Sequence, residues 1–121
     1  MRRALLVLPA ALLLACADEA GPASDLTGRW TAQQVEASEV LDLVQRGRLL
    51  SGAGTYYRFI NPPSSTFTVT GTYDRPDVVL SIHYDTGQTT TFQGVVAGPS
   101  RLAGVETYPG GGSDTLAFQR D

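Results

Sequence analysis

The strongest constraint on the fold is a regular two-residue alternation of apolar and polar side chains in the middle of the chain. Phe67, Val69 and Tyr73 alternate with threonines, and Leu80 and Ile82 continue the same pattern after the turn-forming residues 74–77. Successive side chains of a β-strand point to opposite faces, so this pattern predicts strands with one buried face. Asp, Arg, Pro and Asp between the two segments predict a β-hairpin.

Similar segments cover most of the chain downstream of the amino-terminal region. The sequence predicts further strands at 27–35, 55–60, 91–97, 101–107 and 115–120, each followed or preceded by residues that favour turns. Strands at a spacing of about 8 to 12 residues predict an antiparallel meander, closed as a barrel or folded as a sandwich. The predicted fold class is therefore all-β, with seven to eight strands.

Residues 38–46 interrupt this pattern. Ser38 is a possible helix N-cap, Gly47 is a residue at which a helix could end, and Val40, Leu41 and Val44 are spaced as on one helical face. The segment predicts one short helix, which could partly cover the mouth of a barrel as a lid. Alternating Val40 and Val44 also fit a strand, and that alternative stays open.

The first sixteen residues have the pattern of an export signal. Arg2 and Arg3 precede an apolar run of 12 residues from 4 to 15, and Cys16 follows that run. Leu13-Leu14-Ala15-Cys16 resembles the lipobox of bacterial lipoproteins. That resemblance implies cleavage before Cys16 and three acyl chains attached to it. The run is shorter than the about 20 residues needed to span a bilayer. An ordinary secretory signal, cleaved near Cys16 to release a soluble protein, is the alternative.

The lipoprotein resemblance divides the chain into three parts. Residues 1–15 are the signal peptide, 16–25 a flexible tether rich in small and acidic residues, and 26–121 the β-barrel domain. The resemblance implies a location in the cell envelope, with the lipid as a membrane anchor. Ala17 is not the Asp that resembles an inner-membrane retention signal, so the outer membrane is the expected site.

Charge and composition exclude several classes of function. Removal of residues 1–15 leaves 106 of the 121 residues, with seven arginines against twelve acidic residues. This acidic balance argues against a nucleic-acid partner. Cys16 is the only cysteine and His83 the only histidine, and His83 lies on the polar face of its strand. The sequence therefore predicts no disulfide, no metal site, no cofactor and no catalytic centre.

The start of the first strand carries a second resemblance. Gly28-Arg29-Trp30 resembles the G-x-W signature of lipocalins and related calycin barrels, and Arg120 stands near the end of the last strand. In those families an arginine stacks on this tryptophan. The resemblance implies an up-and-down barrel closed at one end by Gly28, Trp30 and Arg120, with a cation–π contact of about 0.5 to 2 kcal/mol. Small bacterial lipocalin-like lipoproteins are the closer comparison, because the chain is shorter than a true lipocalin.

The calycin resemblance also implies a ligand cup. Tyr57, Tyr73 and Tyr84 are the expected binding residues, since each offers a ring and a hydroxyl to a small apolar or amphipathic ligand. A barrel of eight strands is just wide enough either to hold such a ligand or to be filled by its own side chains. The alternative function is thus a structural or protein-interaction lipoprotein with a filled core and no ligand.

Replacement of Cys16 tests the proposed anchor. We expect Cys16→Ser to lose its lipid and to leave the membrane fraction, because serine cannot form the thioether to the acyl-bearing group. Mass spectrometry of the parent protein should show the acyl mass on Cys16. A variant that fractionates like the parent, together with a parent that carries no acyl mass, would contradict the lipoprotein interpretation.

Overall fold

A computed structural model describes residues 22–59 and 64–121 of the chain. Eight antiparallel strands form a closed barrel, in which each strand pairs with the next in sequence and the last pairs with the first. The strands are β1 (Gly28–Gln33), β2 (Ala37–Arg46), β3 (Leu49–Arg58), β4 (Ser65–Asp74), β5 (Asp77–Tyr84), β6 (Thr89–Val96), β7 (Arg101–Thr107) and β8 (Ser113–Arg120). The predicted all-β up-and-down barrel is confirmed. The signal peptide and Cys16 lie outside the described residues.

The helix predicted at residues 38–46 is wrong, because Ala37–Arg46 forms strand β2 and pairs with both β1 and β3. Glu39, Leu41 and Leu43 point into the barrel and are buried, whereas Asp42 points outward. Glu39 is a charged residue at an inward position, so the alternation of apolar and polar side chains is interrupted there. The lid expected from this segment is therefore absent. The described residues also contain no helix of the length and apolar character needed to cross a membrane.

The two ends of the barrel differ, and the chain enters at the closed one. Residues 22–26 cross this end before β1 begins. The Ala23 N–H donates to the Gly98 carbonyl, the Ala23 carbonyl accepts a hydrogen bond from the Tyr73 hydroxyl, and Leu26 is fully buried. Residues 22–25, assigned from the sequence to a flexible tether, are therefore packed against the barrel.

Trp30 and Arg120 hold the closed end together. They face each other across the β1–β8 seam, and the Arg120 Cζ atom lies 4.6 Å from the centroid of the buried Trp30 ring. The Trp30 Nε1 group donates to the Leu26 carbonyl at 2.9 Å. Arg120 Nη2 donates to the Asp25 carbonyl at 2.7 Å. The same pair therefore joins the first strand, the last strand and the entering segment.

Large apolar side chains fill the lumen above the closed end. Glycines make room for the aromatic rings. A Cβ atom at Gly94 would lie 2.6 Å from the Phe92 ring, and one at Gly54 would overlap the Phe67 ring. Phe92 packs edge-to-face on Phe118, with ring centroids 5.5 Å apart. The buried residues of this layer are Leu41, Leu43, Phe67, Val69, Leu80, Ile82, Phe92, Leu102 and Phe118.

Truncation of Trp30 tests this account of the closed end. We expect Trp30→Ala to lower the free energy of unfolding by about 3 to 5 kcal/mol, since it removes a fully buried ring and its hydrogen bond. Arg120→Ala should cost less, because the apolar core stays in place. Arg29→Ala is the control, since its ion pair with Asp42 is more than half exposed and should contribute little to stability. Chemical denaturation measures the free energy of unfolding of all three variants. Equal losses of that free energy for Trp30→Ala and Arg29→Ala would contradict the prediction.

Candidate functional site

The open end of the barrel, opposite Trp30, holds two neighbouring cavities. The smaller, called here the mouth cavity, has a volume of about 260 Å³, and Tyr56, Tyr84, Thr90, Glu106 and Tyr108 form most of its wall. A wider surface groove of about 850 Å³ lies beside it, between the β1–β2 turn and β8. Tyr56 borders both cavities. The mouth cavity carries the chemistry, because the buried polar groups are found there.

Strand direction explains why these residues meet. Neighbouring strands run antiparallel, so the ends of β3, β5 and β7 lie at the same rim as the start of β6. Tyr56, Tyr84 and Glu106 stand at or near those ends, and Thr90 is near the start of β6. Glu106 shares the inward face of β7 with Leu102, so its side chain turns into the lumen.

Two glutamates, Glu39 and Glu106, are buried side chains of this end and are called here the acid pair. Their exposed fractions are 0% and 1%. They approach from β2 and β7, which lie on either side of the β1–β8 seam. Among the described residues, no group outside the pair hydrogen-bonds to either Glu39 carboxyl oxygen or to Glu106 Oε2, and the buried Thr90 hydroxyl has no partner. The two carboxyls can share a proton with each other. No arginine of the described part forms an ion pair with either glutamate.

Tyr108 is the residue outside the acid pair that hydrogen-bonds to Glu106. Its hydroxyl oxygen lies 2.6 Å from Asp114 Oδ2 and 3.2 Å from Glu106 Oε1. A phenol has a single proton, which goes to the nearer Asp114 carboxylate. Donation of that proton to Glu106 instead would favour the ionised form of Glu106. Tyr108 thus links the acid pair to the rim of the wider groove, where Asp114 lies.

Burial changes the acidity of the pair. Burial, and then repulsion from Glu106, raises the pKa of Glu39 from 4.5 to about 8. Burial also raises the pKa of Glu106, although the hydrogen bond with Tyr108 works in the opposite direction. Two carboxyls this close titrate as a unit. The pair therefore retains a proton at neutral pH.

The tyrosines around the pair stay neutral. Burial raises the pKa of Tyr84 and of Tyr108 well above the usual value, and the nearby acids add to the effect. Neutral phenols keep their rings and hydroxyls available for contact with a bound molecule. Tyr84 also packs edge-to-face on Phe67 and on Tyr56, with centroid distances of 5.4 and 6.4 Å. The cavity wall is therefore aromatic and held in place from below.

The acid pair and its neighbours form a set of buried oxygen acceptors beside aromatic rings. Leaving such a buried polar atom unpartnered costs about 1 to 3 kcal/mol. A molecule that donates hydrogen bonds to these oxygens would recover part of that cost. The described residues contain no group of three or more acidic, histidine or cysteine side chains that could hold a metal ion. His83 lies exposed on the outer wall, with Nδ1 3.1 Å from the Thr89 hydroxyl.

The structure separates the three tyrosines expected to bind a ligand. Tyr84 lines the mouth cavity. Tyr73 is buried at the closed end, where its hydroxyl donates a hydrogen bond to the Ala23 carbonyl. Tyr57 points outward and is 46% exposed. All three tyrosines offer the same ring and hydroxyl to a ligand. Of the three, only Tyr84 combines an inward position with a place at the open rim.

The site residues predicted from the sequence did not include Glu39, Thr90 or Glu106. A signal for them exists, because each is in phase with inward apolar residues of its own strand. Glu39 precedes Leu41 by two positions, Thr90 precedes Phe92 by two, and Glu106 belongs to the inward face of β7. A polar residue at an inward position near a strand end is the pattern to look for.

Comparison of the chain with protein-family models and with curated proteins finds no match. The likeness to calycin barrels therefore rests on the barrel topology and on the contact between Trp30 and Arg120.

The acid pair predicts an unusual dependence of stability on pH. Between the ordinary pKa of 4.5 and the raised value of about 8, the folded protein holds a proton that the unfolded chain has released. The free energy of unfolding should therefore fall as the pH rises through this window, by an amount on the order of a few kcal/mol.

Glu39→Gln tests this dependence, since glutamine resembles the protonated acid and should flatten the fall. Denaturation of parent and variant at several pH values between 5 and about 8.5 measures it. Asp42→Asn is the control, because Asp42 lies on the outer face of the same strand, paired with Arg29. A parent protein whose stability stays constant or rises across this range would refute the prediction.

Proposed function

We propose that the protein is an envelope-anchored lipoprotein whose barrel binds a small ligand at its open end. The observation that carries this proposal is the mouth cavity itself. It is the place where the otherwise filled lumen opens, and its wall holds buried acceptors that lack partners in the described residues. Its volume of about 260 Å³ lies just under the about 300 to 1,000 Å³ of typical ligand sites. The ligand should therefore be small.

The proposed anchor sets the direction in which the mouth faces. Pro22, whose carbonyl accepts a hydrogen bond from Arg75 at the closed end, is six residues after Cys16 in the chain. Six residues reach at most about 20 Å when fully extended. A lipid on Cys16 would hold the closed end near the membrane and leave the mouth open to the aqueous side.

A second candidate function is that of a structural or protein-interaction lipoprotein. The filled lumen supports it, and so does the outer wall of β5 to β7, where Val79, Val95 and Val105 are 40 to 46% exposed. This function needs no space at the mouth. A change that fills the mouth cavity therefore separates the two candidates.

Native extraction followed by mass spectrometry tests ligand binding directly. Ser65 lines the mouth cavity and is in phase with the inward Phe67, so the indole of Ser65→Trp should occupy the space. We expect a small molecule to copurify with the parent protein and to be lost from Ser65→Trp.

Ser51→Trp is the matched control, because Ser51 is exposed on the outward face of β3 and the same ring is added far from the mouth. This variant should retain the copurified molecule. A parent protein that carries no small molecule, or a Ser65→Trp variant that carries it undiminished, would count against a ligand at the open end.

A further inference from the structure

We propose that the mouth cavity binds a small organic ammonium compound, with its charged nitrogen at the acid pair and its apolar part against Tyr56 and Tyr84. This inference rests on the proposed ligand-binding function and names the chemical class of the ligand. It is carried by the geometry of buried oxygen atoms, aromatic rings and charges at one end of the barrel.

The hydrogen-bonding capacity of the site matches an ammonium group. Among the described residues, Glu39 Oε1 and Oε2 and Glu106 Oε2 have no partner outside the acid pair, and Thr90 Oγ1 has none; their side chains are at least 97% buried. Glu106 and Thr90 line the cavity, whereas Glu39 is not among its lining residues. The ligand nitrogen would therefore contact Glu106, and Glu39 would act through its coupling to Glu106. These oxygens outnumber the protons that the acid pair holds. An ammonium group has donors and no acceptor, whereas an anionic ligand would bring one more negative charge.

The aromatic wall suits the rest of such a ligand. Tyr56, Tyr84 and Tyr108 border the cavity, and a cation near the face of a tyrosine ring is attracted by about 0.5 to 2 kcal/mol. The Tyr84 ring is held by Phe67 beneath it. An amine that carries a short apolar or aromatic group would place that group against these rings, and the cavity volume excludes a large one.

The arginines of the described chain leave the acid pair without a cation. On the outer wall, Asp42 pairs with Arg29 and Asp74 pairs with Arg48. At the open end, Arg58 borders the wider groove and not the mouth cavity. The acidic groups of this end outnumber that one arginine; they are Glu36, Glu39, Asp85, Glu106 and Asp114. A cation that neutralises the pair would therefore come from a ligand.

Binding of a cation should release a proton. The pair holds its proton because burial raises both carboxyl pKa values, with repulsion from Glu106 adding to that of Glu39 and repulsion from Asp114 to that of Glu106. A positive charge beside the pair favours the ionised form. The groups that face the pair are Tyr56 on β3, Tyr84 on β5, Tyr108 after β7 and Asp114 on β8. The tyrosines stay neutral in the same pH range, so the acid pair should supply the proton.

Isothermal titration calorimetry with three probes tests the inference. The full-length lipoprotein, purified in dodecyl maltoside, is titrated with 2-phenylethylamine, with its neutral isostere 2-phenylethanol and with the anion 3-phenylpropanoate. We expect the amine to bind at least about tenfold more tightly than the alcohol, and the anion not to bind. The amine affinity should rise between pH 6.5 and about 8, by at most about tenfold per pH unit for one released proton.

Two glutamine variants test whether the acid pair is the site of amine binding and of proton release. Glu39→Gln and Glu106→Gln should each lower the amine affinity by at least about tenfold and remove the proton release, measured as a dependence of the binding heat on the buffer. Glu36→Gln is the matched control, because Glu36 is exposed beside the wider groove and loses the same charge at the same end of the barrel. It should leave the amine affinity unchanged.

Carbon-13 NMR of the parent protein keeps the test independent of the variants. The carboxyl carbons of Glu39 and Glu106 should titrate at lower pH when 2-phenylethylamine is present than when it is absent. Carboxyl titrations that do not move would overturn the inference, even where a glutamine variant fails to fold.

The outcomes separate this inference from the function on which it rests. If 2-phenylethanol binds as tightly as the amine and no proton is released, the cavity binds ligands but the ammonium assignment is wrong. The same follows if the molecule that copurifies with the parent protein is neutral or anionic. If no probe binds and nothing copurifies, both the assignment and the ligand-binding function fail.

Discussion

The seam between β1 and β8 is the constraint on which the barrel depends. The register joins only three residue pairs there, from Trp30 with Arg120 to Ala32 with Phe118, whereas β2 and β3 pair along ten. An unclosed seam would expose two strand edges to other chains. Side chains compensate for the short ladder, since Arg120 stacks on Trp30 and donates to the Asp25 carbonyl. The Asp121 N–H adds a bond to the Arg29 carbonyl at 2.9 Å.

Closure of eight strands also decides where a site can lie. The lumen of such a barrel is narrow, and here its lower part is occupied by rings that fit only because glycines face them. Gly94 and Gly104 are paired across β6 and β7, and a side chain at Gly94 would meet Phe92. No ligand can enter that layer without displacing the core. The mouth is thus the part of the lumen where polar groups and free volume coexist.

The strands could be predicted from the sequence because the two-residue alternation of apolar and polar side chains is preserved wherever the inward residues are apolar. Strands β4 and β5 were predicted from Phe67, Val69, Leu80 and Ile82, which the structure buries. Strand β2 was predicted only as the alternative to a helix, because Glu39 breaks the apolar series at an inward position. Glu39, which interrupts the strand pattern, is also a member of the candidate site.

The candidate site was less predictable for a related reason. Glu39 and Glu106 are 67 positions apart in sequence, and they meet only because the barrel closes and brings β2 and β7 to either side of one seam. Tyr73 and Tyr84 have the same chemistry and both point inward, yet they belong to opposite ends of the barrel. A single strand does not reveal its end of the barrel until strand order and register are known.

Charge is distributed unevenly along the barrel axis, and this links the fold to the proposed function. Six arginines of the described chain lie in the strand ends and turns of the closed half, and Arg58 stands at the open rim; the six are Arg29, Arg46, Arg48, Arg75, Arg101 and Arg120. The two buried acids, Glu39 and Glu106, are at the opposite end and have no ion pair within the described chain. A domain of this size has a total stability of about 5 to 15 kcal/mol, so two buried carboxyls without a cation take a substantial share of it. A cation bound beside them would return part of that free energy, so a ligand at the open end would stabilise the whole barrel.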